Sequence, residues 1–301
     1  MLKDDLTIIC PLHCRDSYIE GFLKYYQDLS CKILLVDSTP LPAIQKKIGL
    51  VEPPNSVFRY DKENLCYLYY PDKIYYKKMY EALQMVDTPF VVEIADDDKV
   101  HKKALLKAVS FLKENPEYLF ADGRWYCDED QAWFKLSGEG LIDETGRLDL
   151  FWAEQEEFYI GTNFFSEDPF ERIRTYLNKQ WKAPNHCVVR TDLLKEIYGF
   201  VDGERLLWPL RWFDKIWMFI AGYRGSYKCL DVKYGRKCPS SIITDSEMIH
   251  SIPMSLGVHL YWSNFPDMKD SYMRLANFLI KEGHDESFSI SFVEEIIRHV
   301  P

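Results

Sequence analysis

Three aspartates in a row, Asp96, Asp97 and Asp98, close the apolar run of "VVEIADDDKV". Carboxylates this close repel and raise one another's pKa unless a positive group lies among them. In an extended chain alternate side chains share a face, so Asp96 and Asp98 point one way and Asp97 the other. Two carboxylates so placed suit a hard dication, Mg2+ or Mn2+, which keeps several waters and takes substrate phosphates into its shell. The ion would neutralise charge that builds on a leaving diphosphate. A further acid, Asp37, ends a second apolar run, "KILLVD".

The elements that must position these acids are legible from periodicity. Apolar runs predict strands at "LTIIC" (6–10), "KILLVD" (32–37), "SVFRY", "LCYLYY", "FVVEI" (90–94) and "HCVVR" (186–190). Apolar residues at helical spacing predict helices from Tyr18 to Leu29, Ile74 to Val86, Lys102 to Glu114 and Leu210 to Ala221. Two more amphipathic helices follow residue 240, one marked by Leu275 and Leu279 and one by Val293 and Ile296. The stretch from about 120 to 190 is less regular. Alternating strands and helices with continuous apolar strands imply an α/β fold, a mostly parallel sheet covered on both faces. Ligands of such sheets sit outside the carboxyl ends of the strands. Asp37 and the aspartate triplet both end strands, so they are expected to share one crevice.

Composition removes several function classes. The chain has 301 residues, 47% of them hydrophobic, which is a globular composition. A formal charge of −10 speaks against a general nucleic-acid binder. None of the eight cysteines forms a CxxC pair, and several lie in apolar runs, which points to a reduced, cytoplasmic protein. No apolar stretch reaches the ~20 residues of a membrane span, though peripheral contact with a membrane stays open. The phosphate-binding GxxxxGK[ST] and GxGxxG patterns are absent. One rival fits by residue type: Asp96-x-Asp98-x-Val100 matches the DxDx[TV] pattern of haloacid-dehalogenase-type phosphatases, whose first Asp is a nucleophile. That motif normally ends the first strand of its domain, and here several strand–helix units precede it.

Taken in order, these segments resemble a GT-A-fold glycosyltransferase of the family 2 type. "LTIICPLHCRDSYIEGFLKYY" is similar to that family's opening strand, loop and first helix. "ILLVDSTP" is similar to its second strand, and "KKMYEALQMVDTPFVVEIADDD" to the helix and strand that lead to its DXD motif. "NHCVVRTDLLKEIYGF" is similar to the segment before its acceptor-side helix. The resemblance covers roughly residues 5 to 235, which sets an expected transferase domain at 1–235 and a mainly helical extension at 236–301.

The resemblance implies a sugar moved from a nucleotide-diphosphate sugar, UDP favoured, to a saccharide or lipid-linked saccharide, in surface polysaccharide or glycan biosynthesis. It implies Mn2+ or Mg2+ on Asp96 and Asp98, with Asp97 able to replace Asp96 because Ala95 precedes three acids. Pro11, His13 and Arg15 would line the nucleotide pocket, and Asp37 would accept from the base or ribose. Of the lysines in the tyrosine-rich run, Lys77 is expected to reach the diphosphate. Asp214, on the late helix "PLRWFDKIWMFIAGY", is the candidate general base, or else it pairs with Arg211 or Lys215. Cys238 stands where the family often has a histidine, so His250 or His259 is left to supply a further metal ligand. A catalytically inactive nucleotide- or sugar-binding protein is the alternative from another class.

Overall fold

The computed structural model describes residues 2–13, 16–39, 58–71, 73, 75–96, 98–127, 157–159, 163, 165–179, 186–202, 210–237 and 266–298. Ten strands among them form one sheet: β1 Leu6–Leu12, β2 Lys32–Asp37, β3 Phe58–Lys62, β4 Leu65–Tyr69, β5 Phe90–Glu93, β6 Lys99–Val100, β7 Tyr118–Cys127, β8 Glu157–Tyr159, β9 Val188–Arg190 and β10 Ser226–Lys237. The order is β3-β4-β2-β1-β5-β9-β7-β10-β6, with β8 beside β7. Strands β4, β2, β1 and β5 run parallel. Beyond β5 the sheet is mixed, because β9 runs antiparallel to both β5 and β7. This is the GT-A-like α/β arrangement that the sequence led us to expect, but the sheet is mixed rather than mostly parallel, since β3–β4, β5–β9, β7–β9, β7–β8 and β6–β10 pair antiparallel.

Continuous apolar strands are explained by what covers them. Along β1, β2, β5 and β9 successive residues face opposite ways, as the pleat requires. Ile9, Leu34, Val91 and Val189 enter one core, while Ile8, Leu35, Val92 and Val188 enter the other. Helices α1 (Asp16–Tyr26) and α3 (Lys102–Glu114) cover the second face. The first face carries α2 (Tyr75–Leu83), α4 (Pro169–Lys179), α5 (Thr191–Asp202) and α6 (Leu210–Arg224). Each fully buried aliphatic side chain contributes about 1.5–3 kcal/mol, so a polar slip on either face is costly.

The two C-terminal helices, α7 (Pro266–Lys281) and α8 (Glu286–Arg298), pack on that first face. Phe292 lies with its ring centroid 4.8 Å from that of Phe170 on α4, and Phe278 lies 6.3 Å from Phe219 on α6. Arg174 bonds Glu295 at 2.7 Å. Arg224, at the end of α6, binds both Glu196 of α5 (2.6 Å) and Glu282 just past α7 (2.7 Å). No helix among the described residues is long and apolar enough to cross a membrane.

Candidate active site

The carboxyl ends of β1, β2 and β5 lie side by side, since Leu12 pairs with Asp37 and Ile9 with Glu93. On the β2 side, Asp37 is fully buried. Its Oδ1 accepts from the Thr39 amide at 2.8 Å and from the Thr39 hydroxyl at 2.6 Å; its Oδ2 accepts from the Tyr67 hydroxyl at 2.8 Å. Tyr67 can reach because β4 pairs in parallel with β2. Next to this acid, the Lys78 ammonium donates to the Leu12 carbonyl at 2.7 Å and to the Ser38 hydroxyl at 2.8 Å. His13 Nδ1 lies 3.1 Å from the same hydroxyl. Pro11 is in β1 opposite Val36 and is partly buried.

The lysine at the strand ends is therefore Lys78, whereas the expected Lys77 is exposed to solvent. Helical geometry explains the difference. The buried positions of α2 are Tyr76, Lys78, Met79, Ala82 and Leu83. Lys78 sits one turn before Ala82, on the covered face, and Lys77 is rotated away from it.

On the β5 side, Asp96 and Asp98 are both buried, and the amide of Asp98 closes a tight turn onto the Ala95 carbonyl at 3.1 Å. Asp98 meets a residue that sequence reasoning passed over as part of a strand: Nε2 of His186 lies 3.1 Å from its Oδ2. The sheet register brings them together. Strand β9 pairs antiparallel with β5, Val91 opposite Val189 and Val92 opposite Val188. Counting on along that register sets His186 beside the residues that follow β5. The other ring nitrogen, Nδ1, lies 2.7 Å from the Glu93 carbonyl oxygen. A carbonyl only accepts, so Nδ1 carries a proton and Nε2 is the nitrogen turned toward Asp98. The Tyr234 hydroxyl binds the His186 carbonyl at 2.8 Å, and the Trp125 ring lies 5.3 Å from the imidazole.

Glu93 anchors this end of β5 from the opposite face. Its carboxylate accepts from Tyr75 of α2 and from Tyr198 of α5, the latter at 2.6 Å, and the two phenols lie 3.1 Å apart. Burial first, and the Glu93 carboxylate second, push both phenols well above the usual tyrosine range. They remain donors at any physiological pH.

Several expected residues fall outside what the structure describes: Arg15, Asp97, Cys238, His250 and His259, and the side chain of Asp214 on α6. Among the described residues no three His, Cys, Asp or Glu side chains converge as a ready-made metal cage. The residues that could hold a hard dication, with the rest of its shell drawn from water and phosphate, are the buried aspartates that follow β5, Asp96 and Asp98.

No protein-family model matches the chain, and no curated protein matches it in sequence. Solved structures do match. Residues 1–349 of TarS from S. aureus superpose with a TM-score of 0.53 at 14% identity, covering 98% of this chain and 71% of that one. The fold is similar to that of TarS. The complex of TarS with UDP-GlcNAc gives a TM-score of 0.55, with 98% and 72% covered. Its complex with UDP gives 0.54, with 97% and 70% covered. At 14% identity the likeness to TarS concerns the path of the chain alone.

Proposed function

We propose that this chain transfers a sugar from a nucleotide-diphosphate sugar, with UDP as the favoured carrier, to a hydroxyl of a saccharide or lipid-linked saccharide. The observation that carries the reading is the pairing of two buried aspartate ends, Asp37 on β2 and Asp98 after β5, on either side of β1. That arrangement stands in a fold similar to one solved with UDP and with UDP-GlcNAc. Among the described residues three hydrogen bonds reach the Asp37 carboxylate, which has about four acceptor positions, so a base N–H or ribose hydroxyl could be the fourth donor. His13 and Pro11 line the same wall, and the Lys78 amine stands near the diphosphate. A dication, Mn2+ or Mg2+, held at Asp96 and Asp98 supplies charge neutralisation for the leaving diphosphate.

Asp214 takes the role of base. It lies in the first turns of α6. In that role it receives the acceptor hydroxyl proton as the oxygen bonds to the anomeric carbon and the bond to the diphosphate oxygen breaks. The setting is a cytoplasmic step of glycan or surface-polysaccharide assembly.

The test is thermal denaturation with UDP, GDP, dTDP, CDP and CMP, each with Mn2+ and with EDTA. A ligand at ~100 Kd adds about 2.7 kcal/mol to the folded state, which shows as a clear rise in Tm. UDP with Mn2+ is expected to give the largest rise, and EDTA to remove it. Shifts that survive EDTA would place the nucleotide away from the aspartates. No shift with any nucleotide, together with protection by beryllium fluoride, would favour a phosphatase.

A further inference from the structure

We infer that the outer face of α3, with Lys99 of β6 and Tyr25 of α1 beside it, docks on a bilayer of anionic phospholipid. The surface is argued without the transferase reading; only its consequence for the acceptor rests on that reading.

Charge is the first observation. Residues 99–113 hold five lysines and no acid. The whole chain carries −10, so the rest of it stands at −15. Positive charge is thus concentrated on one element of an acidic protein. It also points outward. Helix α3 buries Ala104, Leu105, Ala108, Val109 and Leu112. Helical rotation leaves Lys103, Leu106 and Lys107 on the opposite, exposed side, and Lys99 is exposed as well. Acids border this face at its ends. Asp28, just past α1, pairs with Lys102, and Asp5 pairs with Lys113 at 2.6 Å, next to Glu114. Between those ends Lys103 and Lys107 face solvent, with no acid on the helix before Glu114.

The second observation is apolar. Leu106 is 44% exposed and stands among these lysines, one of four large hydrophobic side chains so exposed among the described residues. Tyr25 is half-buried, and the Lys99 and Lys102 ammonium groups lie 5.8 and 4.9 Å from its ring centroid. A soluble polyanion has nothing to offer a leucine. At a bilayer surface the leucine enters the acyl boundary and the phenol sits at headgroup level. The lysines reach the phosphates along their own apolar stems. Each lysine near such a surface is worth roughly fivefold in affinity.

Position is the third. Lys99 follows Asp98 directly, so the face begins where the β5 end of the crevice stops. Under the transferase reading, a bilayer held there brings a lipid-linked acceptor to the crevice in preference to a soluble saccharide.

The experiment is flotation of the full chain with vesicles of phosphatidylcholine alone and of phosphatidylcholine mixed with phosphatidylglycerol, at low and high salt. Binding is expected to the anionic vesicles only, and salt should weaken it. Lys103→Glu combined with Lys107→Glu should weaken it by ~20-fold or more. Leu106→Ser should weaken it at every salt concentration, whereas Lys281→Glu on α7 should bind like the wild type. These side chains are exposed, so each Tm should stay near that of the wild type. Should the glutamate pair fold poorly, Lys103→Gln with Lys107→Gln removes the charge alone and should cost about 20-fold. A wild-type chain that ignores anionic vesicles, or a well-folded double variant that binds them normally, overturns the inference. Displacement by inorganic polyphosphate at equal phosphate, with no effect of Leu106→Ser, assigns the face to a soluble polyanion and overturns it too. Vesicle binding by a chain whose Tm no nucleotide raises upholds the surface and counts against the transferase reading.

Discussion

Strands β2 and β5 each deliver a buried acid to the same edge of the sheet, and the two acids are held by different means. Asp37 is surrounded by neutral donors, the Thr39 amide and hydroxyl and the Tyr67 hydroxyl, all within 2.8 Å. Asp98 faces an imidazole whose remaining nitrogen is tied to the backbone. Neutral donors fix a carboxylate permanently, whatever else binds. An imidazole beside a carboxylate holds it only with the help of a proton or a cation. Under the proposed function the β2 end would serve as a rigid receptor wall and the β5 end as the place where charge arrives and leaves. A reaction that binds a nucleotide and expels a diphosphate has use for one of each.

The sharpest way to break this comparison is Asp98→Asn. Under the proposed function it should lower turnover by ~10²-fold or more, because it removes a charge that holds the cation against the leaving group. Folding should change little, since the new amide N–H can donate to His186 Nε2 and satisfy it. Steady-state assay with saturating UDP-sugar and Mn2+, beside urea denaturation, separates the two effects. Near wild-type turnover would remove the cation from the β5 end.

How much of this was open to the sequence follows from where the physics is local. Helix α3 was bounded correctly at Lys102 and Glu114, and β2 at Lys32 and Asp37, because their apolar patterns lie within one element. The expectation of a crevice between Asp37 and the triplet needed only the rule that parallel strands end together. Strands β7 and β10 were not anticipated. Polar residues interrupt both, and their pairing carries register shifts near Leu230, Lys233 and Gly235 that spoil a two-residue period. Helix phase separates the two lysines: the buried stripe through Met79, Ala82 and Leu83 takes in Lys78 and leaves Lys77 on the solvent side.

His186 was out of reach in another way. Its role depends on a pairing between β5 and β9 that spans almost a hundred residues, and nothing in "NHCVVR" states that register. Asp214, His250 and His259 lie outside the described side chains, so their expected roles stand as proposals.

Asp37→Ala should give the next largest effect and a different signature. Removing the carboxylate orphans the Thr39 donors and the Tyr67 hydroxyl in a buried site, at a cost of about 1–3 kcal/mol of stability without any ligand present. Urea denaturation of the metal-free chain reads it directly. Lys78→Met on the same wall should weaken UDP binding, while Lys77→Met, on the solvent face, should stay within ~0.5 kcal/mol of wild-type stability and bind UDP normally. If Lys77→Met were the harmful change of the pair, the geometry of the β2 end would be wrong.

The smallest effect belongs to a third kind of carboxylate, held by arginine at the surface. Glu282 receives Arg224, which also binds Glu196 and so ties the end of α7 to α5 and α6. The hydrogen bond from Arg224 is the main reason that the Glu282 carboxyl is held below the usual glutamate range. A folded-state pKa below the unfolded one adds stability above the unfolded value and loses it as pH falls through the folded one. Glu282→Gln should therefore cost about 0.2–1 kcal/mol near neutral pH, as exposed ion pairs do. The difference from wild type should shrink as pH drops below the ordinary carboxylate range, and added salt should shrink it too. Urea midpoints at neutral and acid pH measure this. A difference that persists in acid would mean that Glu282 acts through packing. In that case the Arg224–Glu282 pair could not be what ties the end of α7 to α5 and α6.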